Sequence, residues 1–110
     1  MQHWDLSTLD VQPHQPQILH SERGESRSIL INLPAGEYLQ DHQVHERAHL
    51  VIVGGEVEID RSGDVIAAHA GTLVVFDPGE RHGVRARSDA RLLLMLAPWP
   101  GAGHPGARDE

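Results

Sequence analysis

The chain has no cysteine. Disulfides, iron–sulfur clusters and thiolate zinc sites are therefore excluded. It has no lysine either, and its nine basic side chains are all arginine. Against 16 acidic residues these leave a formal net charge of −7. A nucleic-acid partner would need a basic face that this balance does not supply. No apolar run approaches the ~18 residues of a membrane-spanning helix, so no membrane partner is expected. The opening MQHWDLSTLD carries neither a basic stretch nor an apolar core, does not read as a signal peptide, and leaves cytoplasm as the expected location. A convincing helical period, a nucleotide-binding loop and an obvious nucleophile–base pair are also missing. At 110 residues the chain can bury one core and not two.

What is present is a ladder of short β-rich runs. They fall near Ile18–Ser21, Arg27–Leu33, Tyr38–Val44, Ala48–Val53, Glu56–Asp60, Val65–Ala68, Thr72–Phe76, Gly83–Ala86 and Arg91–Ala97. Between them stand turn formers such as Arg23-Gly24, Pro34-Ala35-Gly36, Gly54-Gly55, Ser62-Gly63-Asp64, Ala70-Gly71, Pro78-Gly79 and Ser88-Asp89. Glycine there supplies positive φ and proline fixes it. EVEID alternates as a half-buried strand should. HLVIV is apolar on both faces and is expected to be central and covered on both sides. ARLLLMLA, at the end of the ladder and stopped by Pro98, is read as a strand. The fold class predicted is all-β, a small jelly-roll or double-sheet barrel. Residues 1–17, polar and carrying Pro13 and Pro16, form an arm, 18–98 the barrel, and 99–110 a flexible tail in which Trp99 packs back on the wall.

Nine histidines stand in the chain, and four fall in or beside two motifs. The first is Gly36-x5-His42-x2-His45-x3-His49, running into LVIVGGEVEI. The second is Gly71-x5-Asp77-Pro78-Gly79-x2-His82. Each joins a glycine turn to a histidine-bearing extended stretch, which aims several imidazoles into one small barrel. Imidazole is the commonest protein ligand of transition metals, and an all-imidazole set suits Zn, Cu, Fe or Ni better than Mg or Ca.

Over roughly Ile29 to Ala97 the chain resembles a cupin. Cupins carry G-x5-H-x-H-x3,4-E-x6-G followed by G-x5-P-x-G-x2-H-x3-N. Gly36, His42 and Gly55 fit the first motif, and Gly71, Gly79 and His82 the second, with Asp77 at the usual proline and Ala86 at the asparagine. Two registers are open in the middle of motif one. Without a bulge, Val44 takes the second histidine position and Ala48 the glutamate position, which leaves His42 and His82. With a one-residue bulge, His45 and His49 take those positions, giving His42, His45, His49 and His82. The resemblance implies a jelly-roll barrel and a divalent metal of the Fe, Zn, Ni, Cu or Mn kind. It also implies a metal-dependent oxygenase or isomerase acting on a small molecule. A degenerate site would instead make the chain a non-catalytic module that binds a small ligand or metal.

Other residues receive blander readings. Glu46 and Arg47 are taken as a solvated turn, with Glu46 as a carboxylate behind a histidine in the sharper alternative. Tyr38, Phe76 and Met95 are expected to line the barrel or its seam. His3, His14, His20, His69 and His104 are expected at the surface. Open strand edges, and an arm able to cover them on a neighbour, predict a homodimer.

Overall fold

The computed structural model describes residues 1–42, 45–61 and 63–99, with the side chains of 40–42 set aside. Among these residues there are nine strands and no helix. They are β1 (Gln17–Ser21), β2 (Arg27–Leu33), β3 (Tyr38–His42), β4 (Arg47–Gly54), β5 (Glu56–Arg61), β6 (Asp64–His69), β7 (Leu73–Phe76), β8 (His82–Ala86) and β9 (Ala90–Ala97). Each lies where the sequence places a strand, and ARLLLMLA is β9. Every neighbouring pair is antiparallel. A five-stranded sheet in the order β1-β2-β9-β4-β7 faces a four-stranded sheet in the order β3-β8-β5-β6. This is the all-β double-sheet jelly roll expected.

Period-two alternation fills the space between the sheets. From the larger sheet come Ile31, Ala48, Leu50, Ile52, Phe76, Leu92, Leu94 and Leu96, and from the smaller Val57, Ile59, Ala68, Val84 and Ala86, all buried in one cluster. The opposite face of β4 is less covered than its apolar sequence suggested. His49, Val51 and Val53 there are only partly buried, and their neighbours on β7, Leu73 and Val75, are exposed. The strand is central, between β9 and β7. An antiparallel sheet needs cover on one face only, and that accounts for the difference.

The N-terminal arm lies against this outer face at its other end. Asn32 on β2 donates from Nδ2 to the Val11 carbonyl at 2.8 Å, and Arg91 on β9 donates from Nη1 to the Leu6 carbonyl at 2.8 Å. Val11 and the outward Leu30 are both buried, although neither belongs to the core between the sheets. At the C-terminal side Trp99 is clasped to the β1–β2 turn. Its N–H donates to the Glu25 carbonyl at 3.1 Å, its carbonyl accepts from Gly24 N–H, and the Arg27 guanidinium sits 4.1 Å from its ring centre. Trp99 is 2 % exposed, so it belongs to the barrel wall, as expected. The rest of the tail, from 100 on, lies outside the described residues.

The glycines that bound motif one hold left-handed backbone, Gly36 at φ 84° and Gly55 at φ 80°. A Cβ on Gly36 would meet nothing, whereas one on Gly55 would strike the Asp89 carbonyl and Ala90 Cα. Gly36→Ala is expected to cost about 1–2 kcal/mol from conformation alone. Gly55→Ala should cost about 1 kcal/mol or more beyond that, because the Asp89–Ala90 backbone must move. Urea unfolding of the two variants side by side checks the difference.

Candidate metal centre

His82 opens β8 on its inward face, in step with Val84 and Ala86. It is 3 % exposed. Its ring stacks on Phe76, with centroids 3.7 Å apart and planes 6° apart. Its Nδ1 lies 3.4 Å from the Glu80 carbonyl. In the tautomer with the proton on Nδ1 that contact is a donated hydrogen bond, and Nε2 is the unprotonated nitrogen. The turn before it is held firmly. Glu80 N–H donates to the Asp77 carbonyl at 3.0 Å, and Asp77 N–H donates to Glu80 Oε1 at 2.8 Å. That backbone donor, followed by Arg61, holds the Glu80 carboxyl below the usual glutamate range.

His42 sits directly across from His82 in the β3–β8 ladder. The ladder slips by one residue between Leu39 and His42, so a bulge delivers His42 to that position. The sequence placed its bulge after His42. The irregularity described here comes before it, and residues 43 and 44 lie outside the described set.

The other two motif histidines are not brought to His82 in the same way. His45 stands exposed in the bend before β4. His49 pairs with Val75 and Met95, whereas its neighbour Ala48 pairs with Phe76 and Leu96. Ala48 and Phe76 are core, so the pleat turns His49 to the outer face, away from His82. β4 therefore runs in the register that puts Ala48 at the glutamate position and takes His49 off the inner face. Among the described residues no three His, Asp or Glu side chains gather into a metal-holding group.

The solvated-turn reading of Glu46 is corrected by the structure. Glu46 is 5 % exposed, and its Oε2 is sealed from solvent. It lies in the bend just before β4, two residues ahead of the inward Ala48. The charge next to Arg47 masked this. Arg47 itself does turn outward, where it pairs with Asp77 at 2.8 Å. Carrying the alternation of β4 back two residues from Ala48 would have found the buried carboxylate. The expectations for Tyr38, Phe76 and Met95 divide as well. Phe76 lines the core, but Tyr38 and Met95 lie on outward positions, paired with Arg85 and with Ser28 and His49. Tyr38 Oη donates to Asp60 Oδ2 at 3.0 Å.

Two facing antiparallel sheets, with the buried His82 on the inner face, define a small jelly-roll barrel. The chain belongs to the cupin family, whose Cupin domain pattern it matches over residues 29–97. Solved structures of similar fold include an RmlC-like cupin protein from Desulfovibrio desulfuricans. That protein is 26 % identical, with TM-score 0.77, covering 89 % of this chain and 96 % of the other. A cupin superfamily protein from Desulfitobacterium hafniense is 13 % identical, with TM-score 0.72, covering 83 % and 84 %. A Cupin 2 conserved barrel domain protein from Salinispora arenicola is 20 % identical, with TM-score 0.69, covering 90 % and 87 %. None of the curated proteins matches the chain significantly. No helix among the described residues is long and apolar enough to cross a membrane.

Proposed function

We propose that this cupin holds one divalent transition metal between β3 and β8 and uses it to bind a small molecule inside the barrel. The observation that carries the reading is the ladder pairing of His42 with the buried, inward His82. Glu46 is the third donor we assign, since a sealed carboxylate just before β4 suits a cation. His45, one residue earlier and exposed, is the alternative third donor. Imidazole and carboxylate together fit Fe, Zn, Ni, Cu or Mn. Such an ion, when bound, supplies Lewis acidity and an open coordination position. The protein's part is to fix the His82 tautomer through the Glu80 carbonyl, to brace the ring on Phe76, and to surround the site with aliphatic core side chains that exclude water.

Anomalous scattering from crystals grown with each metal tests the site and its donors together. A peak bounded by His42, His82 and Glu46 is expected, and elemental analysis far below one metal per chain after reconstitution would sink the reading. Oxygen uptake or isomerisation of candidate substrates by the loaded protein separates a metal-dependent enzyme from a carrier or sensor.

Homodimerisation belongs to the same proposal. The outer face of the larger sheet offers His49, Val51, Leu73, Val75 and Met95, and paired copies would cover it. Light scattering should return twice the 12.1 kDa of the chain, and a mass of one chain at micromolar concentration refutes the dimer.

A further inference from the structure

The two sheets do not close evenly. β6 and β7 are terminal strands of opposite sheets, joined by the turn after His69 and by no ladder. Between them opens a slot of about 450 Å³, walled by Ile59, Ile66, Val74 and Phe76. All four occupy inward register positions: Ile66 lies opposite Ile59, Val74 opposite Leu50, and Phe76 opposite Ala48. Ile59 and Phe76 are buried and Val74 is partly so, yet Ile66 is 49 % exposed. A core position is thus left half-filled. At the rim, Arg61 donates to Glu80 Oε2 at 2.7 Å and lies 3.5 Å from Asp64 Oδ2. One cation facing two carboxylates leaves the rim net negative.

We propose that this slot binds a small lipophilic molecule, neutral or cationic, and discriminates against anions. Its volume falls within the range of small-molecule sites, ~300–1,000 Å³. Its lining is aliphatic and aromatic apart from Arg61, Asp64 and Glu80. Its rim repels negative charge and already satisfies its own arginine, so a carboxylate or sulfonate finds neither a free cation nor a favourable field. A small molecule fits better than a strand from another copy, because two of the walls, Ile59 and Phe76, are buried core residues that a strand laid on the edges of β6 and β7 would not reach. The inference stands apart from the metal: Phe76 is the shared wall, with His82 stacked on its ring.

The test uses two fluorescent probes with closely similar ring systems, neutral phenylnaphthylamine and anionic anilinonaphthalene sulfonate, on the full chain before and after chelation. Saturable enhancement is expected with the neutral probe, at least about tenfold tighter than with the sulfonate. Ile66→Trp and Ile66→Phe should fill the slot and weaken the neutral probe by about tenfold or more at unchanged melting temperature. Ile18→Trp, a like change at an exposed position of β1, should leave it alone. If the larger ring unfolds the chain, the Phe variant carries the comparison. Absence of saturation, a sulfonate bound as tightly as the amine, or indifference to the filled slot would each overturn the assignment. A dimer that the filled slot abolishes would overturn it in favour of a second copy.

Discussion

His82→Ala is expected to lower metal affinity by at least about 100-fold, because changes behind a ligand already cost ~10–100-fold and this change removes the ligand itself. Glu46→Gln should fall in the same direction. His49→Ala should leave affinity within about twofold, since the pleat turns that ring away from the barrel interior. Isothermal titration with Ni²⁺ or Zn²⁺ on folded variants reads all three. Equal losses at His82 and His49 would show that the face assigned to β4 is wrong. A loss at His45→Ala exceeding that at Glu46→Gln would move the third donor to the bend.

Trp99→Ala should be among the costliest single changes to stability, about 3–5 kcal/mol, the usual range for deleting a large buried aromatic. The ring is 2 % exposed, packed in the core cluster and capped by Arg27. Because Trp99 also exchanges two backbone hydrogen bonds with Gly24 and Glu25, loss of the ring should loosen the β1–β2 turn too. Arg27→Met keeps the stem and removes the charge, so its cost isolates the cation–π part, about 0.5–2 kcal/mol. Thermal unfolding checks both, at ~4–8 °C per kcal/mol for a domain of this size. A melting temperature unchanged in Trp99→Ala would mean that the clasp contributes nothing.

The strands were legible because each is short, β-rich and set between turn formers, and Glu56–Asp60 also alternates with period two. Motif spacing was enough to single out His42 and His82. Their apposition was not legible, since His42 and His82 are 40 residues apart in sequence and only the assembled sheet pairs them. The bulge that sets His42 in place depends on that same partner. Glu46 escaped for a different reason: beside Arg47 it reads as one more surface charge, and only its place two residues ahead of the inward Ala48 betrays it. The slot at Ile66 could not be read at all. The apolar run Val65–Ala68 of β6 looks the same whether the facing strand closes over it or splays away.

Position 83 shows how a residue without a side chain can still be essential to its surroundings. Tyr38 passes over Gly83 to reach Asp60, and a Cβ there would collide with the phenol oxygen and ring. Gly83 is thus the empty seat through which an edge strand, β3, is moored across β8 to β5. Any larger residue would cut the mooring of the strand that ends in His42 and would do so one peptide bond from His82. Tolerance at this position should therefore track the needs of the site, although no atom of Gly83 takes part in it.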